Sequence, residues 1–122
     1  MNQNTEELNI AKIMPAVVSA MPVALTLCDL MGRVLYYNNY ATKILDRKPE
    51  YIGRDVRELH QVQKSRDRIT EILAAYGKDG REEYTWRLSR EGREFQVRVA
   101  PLVLGGDCLG LIHTVLLLGP AG

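Results

Sequence analysis

The order of elements turns on Asp29-Leu30-Met31-Gly32-Arg33-Val34-Leu35-Tyr36-Tyr37-Asn38. Its first half has turn chemistry, and Gly32 is the member that can turn without a Cβ penalty. Val34 to Tyr37 then reads as a short strand, and Asn38 or Asn39 as the cap of a short helix through Ile44 and Leu45. Immediately upstream, Val23, Leu25 and Leu27 alternate with Ala24, Thr26 and Cys28. Both faces of that segment are apolar, which predicts a strand covered on each side. Two strands and one short connection make an antiparallel hairpin.

On the N-terminal side, residues 5–14 place Leu8, Ile10, Ile13 and Met14 at near-helical spacing, with Asn4 and Glu7 as a capping pair. Pro15 predicts a break, with a second short turn over residues 16–20 closed at Met21-Pro22. Downstream, Arg47-Lys48-Pro49 ends the helix after Asn38, and residues 51–56 form an irregular segment followed by a helical turn over residues 56–59. The clearest helix covers residues 62–76. Val62, Ile69, Ile72, Leu73 and Tyr76 make its apolar stripe, Lys64, Arg66, Asp67, Arg68 and Glu71 its other side, and Gly77 and Gly80 its stop. Three strands follow: Tyr84, Trp86 and Leu88 alternate with polar neighbours, Phe95, Val97 and Val99 do the same, and residues 108–118 form an apolar strand after the Gly105-Gly106-Asp107 turn. The order of elements predicts an α+β fold, one sheet with helices over one face. Residues 1–20 are read as an N-terminal helical cap or dimerisation segment, 21–118 as one domain and 119–122 as a short tail.

The 122 residues suffice for one domain with its own core. Sixteen basic and fifteen acidic side chains, interspersed, give a formal charge of +1, so no broad positive surface for nucleic acid is expected. The N-terminus is polar and acidic, unlike a signal peptide, and the longest apolar run is too short for a membrane span. The expected location is cytoplasmic. Cys28 and Cys108 lack the close spacing of a metal knuckle or redox pair and read as apolar thiols. No Ser-His-Asp signature, HExxH helix or phosphate-cradling loop is present, so the chain does not read as an enzyme.

The stretch from Asp29 to Asn38 resembles the D-x-x-G-x-[IV]-x-x-x-N signature of PAS domains. Ile52-Gly53-Arg54 resembles the family's I-G-[KR] element before the long connecting helix. The resemblance covers residues 21–118 and implies a five-stranded antiparallel sheet with a helical crossover between the second and third strands. It is nearest to a bacterial PAS subfamily with a histidine before the long helix, here His60. Members of that subfamily carry Cys-His-Pro-Pro-Lys-Ser where this chain has Leu59-His60-Gln61-Val62-Gln63-Lys64-Ser65; the cysteine and both prolines are absent.

The resemblance implies a sensory or regulatory module in signal transduction that holds a small hydrophobic or aromatic ligand between sheet and helices. Tyr36, Tyr40, Ile69, Leu73, Trp86 and Phe95, with Leu25 and Leu27, are the expected lining; a core filled by its own side chains is the competing reading. Tyr37, Tyr40, Arg66 and Arg68 are candidate handles for a carboxylate or phenol, although Arg66 and Arg68, two apart, cannot share a helix face. Imidazoles ligate haem iron, which makes His60 and His113 candidate axial ligands of a gas or redox sensor. The position at which oxygen-sensing haem PAS domains carry their histidine falls near Arg68. Flavin has less support, because no Asn-Cys-Arg-Phe-Leu string is present. The alternative to a ligand sensor is a ligand-free interaction or homodimerisation domain, motivated by the N-terminal segment and an apolar outer sheet face containing Ile112, Thr114, Leu116 and Leu118. With no output segment after Leu118, signalling is expected to pass through a homodimer, a separate output protein, or further chain.

Overall fold

The computed structural model describes residues 9–45, 48–60 and 62–120. Helix α1 (Ile10–Ala20) leads to strands β1 (Ala24–Asp29) and β2 (Val34–Tyr37), then helix α2 (Asn39–Ile44). Two 3-10 turns, Pro49–Tyr51 and Val56–Leu59, precede helix α3 (Gln63–Gly77), and β3 (Tyr84–Arg90), β4 (Arg93–Leu104) and β5 (Asp107–Pro120) finish the fold. The strands form one antiparallel sheet in the order β2-β1-β5-β4-β3, with the helices packed on one face. This is the α+β architecture expected. The last strand therefore lies between the two hairpins.

The β3–β4 and β4–β5 connections are two-residue turns at Glu91-Gly92 and Gly105-Gly106, all four residues with positive φ. That is the twist-matched hairpin turn of antiparallel strands. The core between sheet and helices is built from Ala24, Cys28, Val34, Val56, Ile69, Ile72, Leu73, Tyr76, Phe95, Val97, Val99, Leu111 and Val115. Gly110 lets the two central strands approach: a Cβ there would overlap the Cys28 carbonyl and lie 2.8 Å from Asp29 Cα.

The two signature stretches are stitched to each other. Val34 N–H donates to Arg54 O at 2.8 Å, Gly53 N–H to Val34 O at 2.7 Å and Val56 N–H to Gly32 O at 2.7 Å. Asp29 accepts from the backbone of Met31 and Arg33 and from the Arg33 guanidinium. Arg57 joins Asp55, the Met31 carbonyl and Thr70 on α3. Gly32, at φ +90°, sits where a Cβ would meet Arg57 Nη2 at 2.9 Å, so this turn requires glycine for both shape and space.

Three sequence expectations change, and a fourth is not tested. The Asn4–Glu7 cap and residues 5–8 lie outside the described residues; the helix that is described begins at Ile10, capped by Asn9 Oδ1 accepting from Lys12 N–H. Pro15 does not break it, because α1 lies on the surface and water can take the carbonyl that loses its intrahelical partner. Val62 is exposed, since α3 begins one residue later. The final strand runs to Pro120, beyond the Leu118 expected as its end.

Candidate functional site

One row of side chains crosses the inner face of the sheet: Tyr37 on β2, Thr26 on β1, His113 on β5, Val99 on β4 and Tyr84 on β3. His113 is 2% exposed. His60 ends the second 3-10 turn, where its Nδ1–H donates to Val56 O at 3.0 Å. Its carbonyl accepts from Arg66 Nη1 at 2.6 Å. The His60 and His113 rings meet edge to face, centroids 5.7 Å apart and planes at 86°. Two histidines far apart in sequence are thus neighbours.

They do not fit a haem. The rings touch each other, and Ile69, Val99 and Leu111, all fully buried, fill the layer between helix and sheet in which a macrocycle would lie. A flavin meets the same filled layer. Cys28 is no nucleophile either: burial pushes its thiol up to about 12. Among the described residues no group of three or more His, Cys, Asp or Glu could hold a metal ion.

The other expected lining residues divide. Ile69, Leu73 and Phe95 are core members, and Tyr40 packs beside them from α2. Tyr36 does not face the core: it pairs with Leu27, which pairs with Ile112, on the outer side of the sheet. Leu25 lies on that outer face too, across from Thr114. The reason is size. Ala24, Thr26 and Cys28 are the small members of the alternation, and they allow α2 and the neighbouring strand to close onto β1.

Trp86 occupies a different environment. On β3, the sheet edge, it borders a groove of about 310 Å³ whose other walls are Arg68, Glu71, Ile72, Tyr84 and Thr85. The Arg68 guanidinium carbon lies 4.5 Å from the Trp86 ring centroid. Arg33, Arg54, Arg57, Arg81, Arg87, Arg93 and Arg98 each hold a carboxylate, whereas Arg68 makes no ion pair or hydrogen bond among the described residues. Arg68 was legible as a handle. Its stack on a tryptophan from a distant strand was not, nor was Glu71 beside it; the available signal was their spacing of three on α3.

Asn38 carries more than the expected helix cap. It is 1% exposed; its Oδ1 accepts from Leu25 N–H at 2.9 Å and Ala41 N–H at 3.1 Å. Its Nδ2 donates to Val18 O at 3.0 Å and Val23 O at 2.9 Å. One amide therefore ties the C-terminal turn of α1 to β1 and α2.

Comparison with known proteins follows the same lines. The PAS domain family matches residues 14–116. Similar solved structures include the C-terminal domain of a Streptococcus mutans protein, with TM-score 0.71, 20% identity, and coverage of 88% of this chain and 84% of that one. A PAS domain from Colwellia psychrerythraea has TM-score 0.69 and 16% identity, covering 91% of this chain and 98% of its own. The PAS domain of Bordetella pertussis BvgS has TM-score 0.67 and 14% identity, covering 88% and 85%. No curated protein matches the sequence. The stitched signature stretches, the sheet order and the family match agree, and the chain belongs to the PAS domain family of non-catalytic sensory and regulatory modules.

Proposed function

We propose that this PAS domain holds a small ligand against α3 and β3 and passes the resulting change in helix packing to a partner. The carrying observation is Asn38. Its four hydrogen bonds make the end of α1 move with the β1–α2 corner, so a shift in the helical layer reaches the N-terminal helix. Haem and flavin are outside the proposal, since the layer they would enter is filled. Native mass spectrometry with an absorption spectrum of untreated protein is the test. The expected result is an uncoloured extra mass whose removal raises hydrogen exchange in α1. A ligand-free protein whose α1 exchange responds to no added small molecule would overturn it.

A second reading, homodimerisation, is favoured by α1 itself. Ile10, Met14 and Val17 are 64%, 42% and 44% exposed at positions that share one helix face, and Leu116 and Leu118 are also exposed on β5. The described part of α1 packs toward α2 and leaves its stripe uncovered. A second copy of the chain is the proposed cover, in the cytoplasm, with a separate output protein as the alternative partner. Among the described residues no helix is long and apolar enough to cross a membrane. Sedimentation of Met14→Glu/Val17→Glu beside the parent should give monomer and dimer respectively; a monomeric parent at high concentration removes this reading.

A further inference from the structure

An arginine stacked on an indole differs from one in solution. Its plane is held by the ring, its in-plane N–H groups remain for a carboxylate, and less side-chain freedom is lost when one binds. The Arg68 guanidinium carbon lies over the Trp86 ring, 4.5 Å from its centroid, within reach of that contact, and among the described residues no carboxylate pairs with Arg68. Glu71 borders the same groove and likewise makes no ion pair or hydrogen bond among the described residues. Three apart on α3, the two charges rise from one helix face with Cβ atoms about 5–6 Å apart. The groove thus offers one positive and one negative group side by side, with Ile72, Tyr84 and Trp86 as apolar wall.

A ligand with carboxylates alone would face Glu71 as a like charge. An amine alone would face Arg68. The complementary ligand carries both charged groups on one carbon beside a short apolar body. At about 310 Å³ the groove has room for one molecule of that size.

We propose that the groove over Trp86 binds a small zwitterion of the α-amino acid class, its carboxylate on Arg68, its ammonium on Glu71 and its side chain against Trp86. The proposal rests on the ligand-binding reading above and narrows it to a ligand class.

Trp86 is the single tryptophan in the chain, so its emission reports the groove. L-Leucine and L-phenylalanine are to be titrated into the full chain beside N-acetyl-L-phenylalanine and phenethylamine, with calorimetry as a second readout independent of the indole. Saturable binding of both free amino acids is expected, with the acetylated acid and the amine at least about tenfold weaker, because each loses one charge-assisted contact. Arg68→Gln should weaken L-phenylalanine at least about tenfold, and Glu71→Gln should remove most of the preference for L-phenylalanine over its acetylated form. Both substitutions are on the wet side of α3, and circular dichroism checks the fold.

Equal binding of L-phenylalanine and its acetylated form, no response to either free amino acid, or an unchanged affinity in Arg68→Gln overturns the proposal. Native mass spectrometry separates this failure from that of the broader reading. A bound mass that is not an amino acid, with L-phenylalanine inert, removes the zwitterion and leaves a ligand-holding domain.

Discussion

Asn38 and Arg68 are both polar side chains where a helix meets the sheet, and their surroundings differ in kind. Asn38 is enclosed, with two N–H groups donating to Asn38 and Asn38 donating to two carbonyls. Arg68 lies at the open β3 edge, held by an aromatic face, its N–H groups without a protein acceptor among the described residues. A buried amide with its capacity filled fixes geometry, because each partner loses a bond if it moves. A stacked cation at a groove holds orientation while leaving its hydrogen bonding to something else. The first region is built to stay and the second to receive.

The contrast should appear first in stability. Gly110→Ala, in the enclosed region, must push β5 away from β1, and a loss of about 3 kcal/mol or more is expected in urea unfolding. A near-neutral result would mean the two central strands can separate cheaply. Asn38→Ala removes four hydrogen bonds and strands buried backbone groups, for an expected loss of about 2–3 kcal/mol. Asn38→Asp should not rescue it, since a carboxylate oxygen would then face the Val18 and Val23 carbonyls.

Acid should reveal the stitched signature. Hydrogen bonds and charge from Arg57 hold the Asp55 carboxyl below its usual range against the opposing effect of burial. At Asp29, burial raises the carboxyl but is outweighed by the Arg33 backbone and guanidinium, with the same net direction. A carboxyl whose folded value is depressed stabilises the fold above its unfolded value near 3.8 and loses that contribution as pH falls through the lower folded value. Unfolding midpoints should therefore drop below about pH 4, and Asp55→Asn should flatten that decline. An identical acid limb in the variant would show that the Asp55–Arg57 pair is not its source. Thiol labelling is a smaller, local test: at pH 8 a maleimide should modify half-buried Cys108 and spare Cys28 until the protein unfolds. Smallest of all, Arg68→Gln should cost no more than about 1 kcal/mol, the worth of its contact with Trp86, because it breaks no ion pair or hydrogen bond within the described fold. A loss comparable with that of Asn38→Ala would end the distinction between the two regions.

Much of the architecture could be read locally. The turn at Gly32, the alternation of Phe95, Val97 and Val99, and the Ile69–Ile72–Leu73–Tyr76 stripe all have the period of the element they form. The inward face of β1 could not be read this way, because both sides of its alternation are apolar, and closeness of packing chose Ala24, Thr26 and Cys28. Tyr36 followed β1 to the outer face through the register that pairs it with Leu27. The candidate site was legible only in pieces. His60 and His113, or Arg68 and Trp86, become neighbours only after crossover and sheet have formed, and no short-range period encodes such a meeting. Gly110 left a fainter mark, an isolated glycine in an apolar strand, which is a known sign of close backbone approach.

The place of β5 between β1 and β4 has a kinetic consequence. The β1–β2 hairpin and the β3–β4–β5 meander are local and can zip early, yet they meet only where β5 lies along β1. The sheet becomes continuous only when β5 docks on β1, pairing Ala24 with Val115 and Asp29 with Gly110 across most of the described chain. Loop closure over such a span comes late and slowly, placing the docking of β5 on β1 near the rate-limiting barrier. A nascent chain whose final strand has not yet emerged would hold two ribbons with open edges, and that interval is when it most needs protection from its neighbours.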